Sequence, residues 1–167
     1  MTDGSPVKRS TNLEEHKALL ARIFENSPFV KNLGIKVTGL GIDTAELTLP
    51  SAPHVQRNLN VLHGGAVATL IDTAGGVAAF SDFTKVETLN AATINLFVNY
   101  LAAAPPGVGV LAKAKVRKRG KSIVVIDVDV EDDSGLLVAT GTVTYKLGSK
   151  VGVRKPDPDV KSALRSQ

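Results

Sequence analysis

Residues 60–72 read "NVLHGGAVATLID" and combine two features that are costly in an apolar segment. Gly64 and Gly65 precede the apolar residues, although glycine loses more conformational freedom on folding than any other residue. Asp72 stands among Ala, Val, Leu and Ile, where a carboxylate costs free energy unless a partner satisfies it. The apolar, alanine-rich run continues to Phe80, which predicts one helix over 64–80 that is buried on nearly all sides.

Segments with a period of two lie on both sides of this helix. A helix that starts with a capping box at Thr11 and Glu14 and ends at Pro28 comes first, and strand signals follow from Gly34 to Leu49. Four more strand segments follow the buried helix, around 93–100, 108–117, 124–131 and 143–147. This order predicts an α+β protein. Several antiparallel strands can cover one helix on one face, the arrangement called the hot dog fold, but the pattern alone does not fix that topology.

The composition fits one domain. The chain has 167 residues and 43% hydrophobic residues, enough for one core. We expect a disordered N-terminus over 1–10, a single domain with an N-terminal helix over 11–148, and a flexible basic tail over 149–167. The absence of cysteine excludes disulfides and a thiolate nucleophile and fits a reducing compartment. We therefore expect a cytoplasmic location, with mitochondria as the alternative, and no membrane span, since Asp72 and four glycines interrupt the longest apolar run.

Several common site types are missing from the sequence. The three histidines lack metal-ligand spacing, and no nucleophile elbow or dinucleotide fingerprint occurs. "GKS" at 120–122 does not end a P-loop, because position 115 is Lys115 rather than glycine. The basic residues do not alternate with aromatic ones, and the net charge is only +4. We therefore expect no metal, no cofactor and no nucleic-acid partner.

The opening stretch itself suggests a site. At the first turn of a helix, the N–H groups of Gly64 and Gly65 and the helix dipole favour a polarised carbonyl, although a glycine entry turn also serves packing alone. Asp72 follows Gly64 by eight residues, or about 12 Å along a helix. General-base catalysis reaches only about 3 Å, so one site that uses both residues needs two chains. We expect the helices of the two chains to pack antiparallel about a twofold axis, with Gly75 and Gly76 allowing close approach. The alternative is that Asp72 is a buried acid that bonds a nearby backbone or hydroxyl group.

The segment "HGGAVATLID", residues 63–72, resembles the hot dog acyl-CoA thioesterases. Within them it is most similar to the PaaI-like and thioesterase-superfamily-member enzymes, which are related to 4-hydroxybenzoyl-CoA thioesterase. Their pattern has an Asn or Gln in a loop, then His-Gly-Gly, then an acid eight residues after the first glycine. The segments "TINLFVNYLAAAP" at 93–105 and "VRKRGKS" at 116–122 extend the resemblance, which covers about 35–148.

The resemblance implies a role for each matching residue. The Gly64 N–H polarises the thioester carbonyl, Asp72 of the partner chain activates water or attacks directly, and Thr93 helps to hold the water. The amide side chain of the loop is that of Asn58, with Asn60 as the alternative. His63 shapes the turn at the start of the helix, and His63 and Gly65 both lie at the substrate. The K-x-G-K turn contains three basic residues, Lys118, Arg119 and Lys121. They contact the phosphates of coenzyme A, or the turn is only a solvated basic turn.

The resemblance therefore implies an acyl-CoA thioesterase that converts acyl-CoA and water to a free acid and coenzyme A. It implies no cofactor, a homodimer that assembles to a homotetramer, and a place in fatty acid metabolism. The alternatives are a non-catalytic acyl-CoA-binding or sensor protein, a hydratase or dehydratase, and a basic interaction module that uses Lys150 to Arg165. The sequence does not predict the acyl group.

Overall fold

The computed structural model describes residues 13–82 and 91–148. Within them lie three α-helices, namely α1 (Leu13–Glu25), α2 (Pro28–Leu33) and α3 (Gly64–Phe80). The six strands are β1 (Lys36–Gly41), β2 (Thr44–Leu49), β3 (Ala91–Tyr100), β4 (Val110–Arg119), β5 (Ile123–Asp132) and β6 (Leu137–Leu147). The terminal segments predicted at 1–10 and 149–167, and Thr11 of the predicted capping box, fall outside the described residues.

One antiparallel sheet covers the long helix. Its strand order is β1-β2-β4-β5-β6-β3, and every neighbouring pair is antiparallel. Helix α3 packs against β2, β4, β5 and β6, with Leu70, Ile71 and Val77 fully buried in the core. The predicted helix over 64–80 and the α+β hot dog fold are confirmed. None of the helices in 13–82 and 91–148 is long and apolar enough to cross a membrane.

The N-terminal third differs from the prediction in two places. The chain from Gly34 to Leu49 forms a hairpin of two strands rather than one strand, because it reverses at Asp43, which has a φ of 60°. Pro28 does not simply end a helix. Helix α1 ends at Glu25, and Pro28 begins the short α2, since the first turn of a helix needs no N–H from that residue.

The glycine pair in α3 allows the helix to approach its own sheet. A Cβ added at Gly75 would lie 2.8 Å from Val143 Cβ, and one at Gly76 would lie 2.6 Å from the Tyr145 hydroxyl oxygen. Both neighbours belong to β6. The prediction that Gly75 and Gly76 allow two helices to meet across a twofold axis is therefore wrong, because the space above them is already filled within one chain.

Strand β3 forms an open edge of the sheet. It pairs with β6 on one side, and its ten residues include no charged residue and no proline. Its exposed fractions are high at Ile94 (56%), Leu96 (39%), Phe97 (58%) and Tyr100 (57%). The predicted alternation of buried and exposed residues therefore fails in β3. A long, uncharged, apolar edge is a template for pairing with another strand.

The turn between β5 and β6 is organised by Asp132. Its Oδ1 accepts hydrogen bonds from the Ser134 N–H (2.8 Å), the Ser134 hydroxyl (2.6 Å) and the Leu136 N–H (3.0 Å). The bond from the Ser134 hydroxyl, and then the backbone N–H groups, lower the pKa of Asp132 below its ordinary value of 3.8. The charged carboxylate therefore stabilises the folded state above this pH, and the contribution is lost as the pH falls through the lowered pKa.

We expect the difference in free energy of unfolding between wild type and Asp132→Ala to shrink as the pH falls below 3.8. Urea unfolding of both proteins from about pH 7 to about pH 2.5 measures this difference. Asp133→Ala removes an exposed carboxyl from the same turn without touching these bonds, so it should stay close to wild type near neutral pH. A difference for Asp132→Ala that stays constant with pH would contradict the assignment.

Candidate functional site

The first turn of α3 is capped by His63. Its Nδ1 accepts a hydrogen bond from the Gly65 N–H at 2.9 Å, and its carbonyl accepts from Ala66 and Val67. The expectation that both glycine amides are free is therefore wrong for Gly65, because His63 already satisfies it. The Gly64 N–H donates to no acceptor within the described part of the chain, and it points out of the first turn, where the helix dipole is positive.

Tyr100 holds the other side of this turn. Its hydroxyl donates to the Gly64 carbonyl at 2.9 Å, and a Cβ added at Gly64 would lie 3.3 Å from the Tyr100 ring. A cavity of about 330 Å³ opens beside them. Its walls come from the loop before α3, the end of β3 and the segment after it, and include Arg57, Val61, Leu62, Tyr100, Leu101 and Ala103.

Asp72 meets Thr93 in the middle of α3. The Thr93 hydroxyl donates to Asp72 Oδ1 at 2.7 Å, which joins the helix to the start of β3. The register between β3 and β6 shifts between Thr93 and Asn95, as at a β-bulge, and bulges re-aim side chains in this way. Asp72 is half-buried, and no described group donates to its Oδ2. Thr93 thus holds one carboxylate oxygen, and the other accepts no hydrogen bond from a described residue.

Asp72 opens into a second cavity, of about 500 Å³. Helices α1, α2 and α3 and strand β3 form its walls, and most of the lining is apolar: Ile23, Phe24, Phe29, Val30, Phe80 and Leu96. The rings of Phe24 and Phe80 pack with their centroids 6.2 Å apart. Asp72 is the charged residue among the described lining residues. The sequence analysis missed this apolar wall, because helix spacing alone does not show which helices will meet.

Tyr145 also lines the Asp72 cavity and was missed. Burial first, and then the negative charge of Asp72, raise the pKa of Tyr145 above its ordinary value of 10.0, while the neighbouring Thr93 hydroxyl, which can donate to the phenolate, acts in the opposite direction. The phenol therefore stays neutral at physiological pH. A signal did exist in the sequence, since a tyrosine on the apolar face of a strand needs a hydrogen-bond partner for its hydroxyl.

Gly64 and Asp72 of one chain do not share a cavity. The two sets of lining residues have no member in common, in agreement with the separation of about 12 Å along α3. The structure brings Asp72 and Thr93 together, and it brings Gly64 and Tyr100 together at the other end. Within one chain these are two half-sites rather than one.

The loop that carries Asn58 and Asn60 lies at the Gly64 end. Both side chains are exposed, neither lines the two cavities, and neither makes a hydrogen bond to a described residue. Leu59 and Asn60 both adopt left-handed backbone conformations, with φ of 69° and 57°. Arg57 instead lines the Gly64 cavity. A role for Asn58 or Asn60 at the substrate stays a prediction.

Arg119 does not reach outward to a ligand. Its guanidinium donates to Asp43 Oδ1 from Nε (2.8 Å) and Nη2 (2.5 Å) and to the carbonyls of Ala79 (2.8 Å) and Ala78 (3.2 Å), and it lies 3.6 Å from Asp82. It therefore caps the C-terminal end of α3, where the helix dipole is negative. The prediction that Arg119 binds the phosphates of coenzyme A is wrong, because its donors are already used.

Lys118 and Lys121 remain as basic residues of the same turn. Both are exposed, and neither forms an ion pair with a described residue. Neither lines the Gly64 or the Asp72 cavity. Their contact with coenzyme A stays a prediction. Among the described residues no group of three or more His, Asp and Glu is placed to hold a metal ion.

We expect Arg119→Ala to lower the free energy of unfolding by about 3 kcal/mol, because it leaves helix carbonyls and Asp43 without a donor in a half-buried position. Chemical denaturation at a fixed protein concentration measures this loss. Arg117→Ala is the matched control, since Arg117 bonds Asp127 at 2.6 Å but is 69% exposed. That variant should cost no more than about 1 kcal/mol. Equal losses in the two variants would contradict the capping role.

Comparison with known proteins gives a consistent result. The family model described as "Thioesterase superfamily" matches residues 59–139 of this chain. A Halobacterium salinarum protein named "Putative esterase VNG_1336C" is 44% identical over 143 residues, which cover 80% of this chain and 93% of that protein. The Escherichia coli "Medium/long-chain acyl-CoA thioesterase YigI" is 29% identical over 136 residues, covering 72% of this chain and 86% of YigI.

A solved structure shows the same fold. The Escherichia coli PaaI protein from the phenylacetic acid degradation operon matches with a TM-score of 0.72 over 83% of this chain and 98% of PaaI. The sequence identity is 24%, so this likeness carries the fold and not the chemistry.

Proposed function

This chain belongs to the thioesterase superfamily of hydrolases, and we propose that it hydrolyses acyl-CoA thioesters with an apolar acyl group. The observation that carries the proposal is the pair of half-sites on α3. One offers an unsatisfied N–H at Gly64, and the other offers a carboxylate at Asp72 that Thr93 holds by one oxygen.

The chemistry follows from these groups. The Gly64 N–H donates to the thioester carbonyl oxygen and stabilises the negative charge that develops there. Asp72 takes a proton from water as the water oxygen bonds to the carbonyl carbon. The carbon–sulfur bond then breaks, and the thiolate of coenzyme A takes up the proton that Asp72 held. In the alternative route Asp72 attacks the carbonyl carbon itself and expels the thiolate of coenzyme A. Water then hydrolyses the resulting anhydride to the free acid and the Asp72 carboxylate, and the proton released protonates the thiolate.

A second copy of the chain completes the site. Thr93, near the start of β3, contacts Asp72, and Tyr100, at the end of β3, contacts Gly64. Antiparallel pairing of two β3 edges about a twofold axis reverses the order of these ends. The Gly64 end of one chain then lies beside the Asp72 end of the other. The open, apolar edge of β3 supports this homodimer, while the homotetramer, the cytoplasmic location and the role in fatty acid metabolism stay predictions.

The Asp72 cavity supports the choice of acyl group. Its apolar lining favours hydrocarbon, and Asp72 disfavours a second negative charge on the acyl chain. The relative YigI is named for medium- and long-chain acyl-CoA. We propose that straight-chain acyl groups enter between α1 and α3, toward Phe24 and Phe80.

We expect kcat/KM to rise with acyl length across a panel of straight-chain acyl-CoAs. Each CH₂ buried in the cavity is worth about 0.8 kcal/mol, or about fourfold in kcat/KM, until the cavity is full. Release of free thiol measures the rate. Butyryl-CoA and succinyl-CoA are the matched pair, because their acyl groups have the same number of carbons and differ by one carboxylate. Succinyl-CoA should be the poorer substrate.

The same panel tests the proposal as a whole. Hydrolysis of none of the acyl-CoAs, together with tight binding of one, would replace it with the acyl-CoA-binding alternative. Equal rates for butyryl-CoA and succinyl-CoA would leave a thioesterase but remove the apolar acyl site.

A further inference from the structure

Tyr145 lies where it can act on Asp72 through Thr93. The β3–β6 register places Tyr145 directly opposite Thr93, so the two side chains are cross-strand neighbours on the helix-facing side of the sheet. Thr93 donates to Asp72 Oδ1 at 2.7 Å. The three side chains come from β6, β3 and α3, and two of them, Tyr145 and Asp72, line the Asp72 cavity.

Gly76 makes room for the Tyr145 hydroxyl. Asp72 and Gly76 are four residues apart on α3, so they lie on the same face of the helix. A Cβ on Gly76 would come within 2.6 Å of the Tyr145 hydroxyl oxygen and 3.0 Å of the ring carbon that bears it. The hydroxyl thus lies against the helix one turn from Asp72. Any larger residue at position 76 would push it away.

The protons in this group can be counted. A threonine hydroxyl has one proton and two lone pairs, and the Thr93 proton is committed to Asp72. The Tyr145 phenol has one proton, and Thr93, its cross-strand neighbour, has a lone pair that can accept it. This arrangement fixes the direction of the Thr93 proton and leaves Asp72 Oδ2 without a described donor.

We propose that Tyr145 is a positioning residue, which donates to Thr93 and thereby keeps Asp72 Oδ1 bound and Asp72 Oδ2 directed at the reacting water or carbonyl. This inference rests on the proposed hydrolysis of acyl-CoA. It assigns Tyr145 no contact with the reacting atoms. Its effect should therefore appear in kcat and should pass through Thr93.

A double-mutant cycle tests the pathway. Tyr145→Phe removes the hydroxyl and keeps the ring, and Thr93→Val removes its partner. We expect Tyr145→Phe to lower kcat about tenfold with KM within about twofold, because a loosened base is poorly aligned. In the Thr93→Val background the same change should cost less than about twofold. Equal factors in both backgrounds, a change confined to KM, or no change at all would overturn the proposal.

A titration tests the contact independently of activity. In a Tyr100→Phe background the ultraviolet absorbance of the phenolate reports Tyr145 alone, since the chain has two tyrosines. Asp72→Asn should lower the Tyr145 pKa by removing a negative charge, and Thr93→Val should raise it by removing the hydroxyl that can donate to the phenolate. A pKa that neither variant moves would overturn the proposal. A wild type that hydrolyses no acyl-CoA, with both shifts present, would remove the proposed function and leave the hydrogen-bonded group.

Discussion

Asp72→Asn should lower kcat for acyl-CoA hydrolysis by about 10³-fold or more, because it removes the group that activates water or attacks the carbonyl. The substitution is nearly isosteric. The amide oxygen of Asn still accepts the hydrogen bond from Thr93, so the contact between α3 and β3 survives. Thiol release under saturating acyl-CoA measures the loss, and circular dichroism and the thermal midpoint check the fold.

The control is a carboxylate outside the site. Asp133→Asn changes an exposed residue in the β5–β6 turn and should leave kcat within about twofold. Turnover by Asp72→Asn close to that of wild type would show that Asp72 is not catalytic. It would then be the buried acid with a local partner, Thr93, that the sequence also allowed.

The buried helix was the most predictable part of the molecule. An alanine-rich run with almost no charge predicts a helix that is buried on nearly all sides. The structure has a helix over the same residues, Gly64 to Phe80. The strands after it were also readable from their period of two. Strand β3 departs from its pattern because side chains on both of its faces remain exposed at an open edge.

Roles that depend on distant partners were not predictable. The sequence indicates only that Arg119 belongs to a basic turn. Folding brings its guanidinium to the carbonyls at the C-terminal end of α3. The sequence suggested that Gly75 and Gly76 pack against a second helix, but in the structure they pack against β6 of the same chain. The strand pattern indicated that the Tyr145 hydroxyl needs a partner, but not that Thr93 and Asp72 lie beside it. Local patterns give periodicity and turns, while the partner of a long side chain is set by topology.

A heterodimer of two inactive chains should recover about half of the wild-type activity per dimer, if the site is shared between chains. One parent is Asp72→Asn. The other is Gly64→Pro, which deletes the N–H at the first position of α3. Proline suits this position, and His63 before it has φ of −72° and ψ of 133°, which a residue before proline accepts.

The Gly64→Pro parent needs its own control. Loss of one oxyanion donor should lower kcat by about 10²-fold or more. Gly64→Ala adds a carbon at the same place, 3.3 Å from the Tyr100 ring, and keeps the N–H. It should therefore lose less than about tenfold, since the flexible tyrosine can move aside. Similar losses in the two variants would assign the effect to crowding rather than to the amide.

The mixed dimer separates the two arrangements of the site. Co-expression with two different affinity tags yields heterodimers free of either parent. In each heterodimer, one interface site combines Gly64 of the Asp72→Asn chain with Asp72 of the Gly64→Pro chain, and the other site lacks both groups. A site shared across β3 therefore recovers half the activity, whereas a site within one chain stays inactive in every combination, because each chain then carries one lesion of its own.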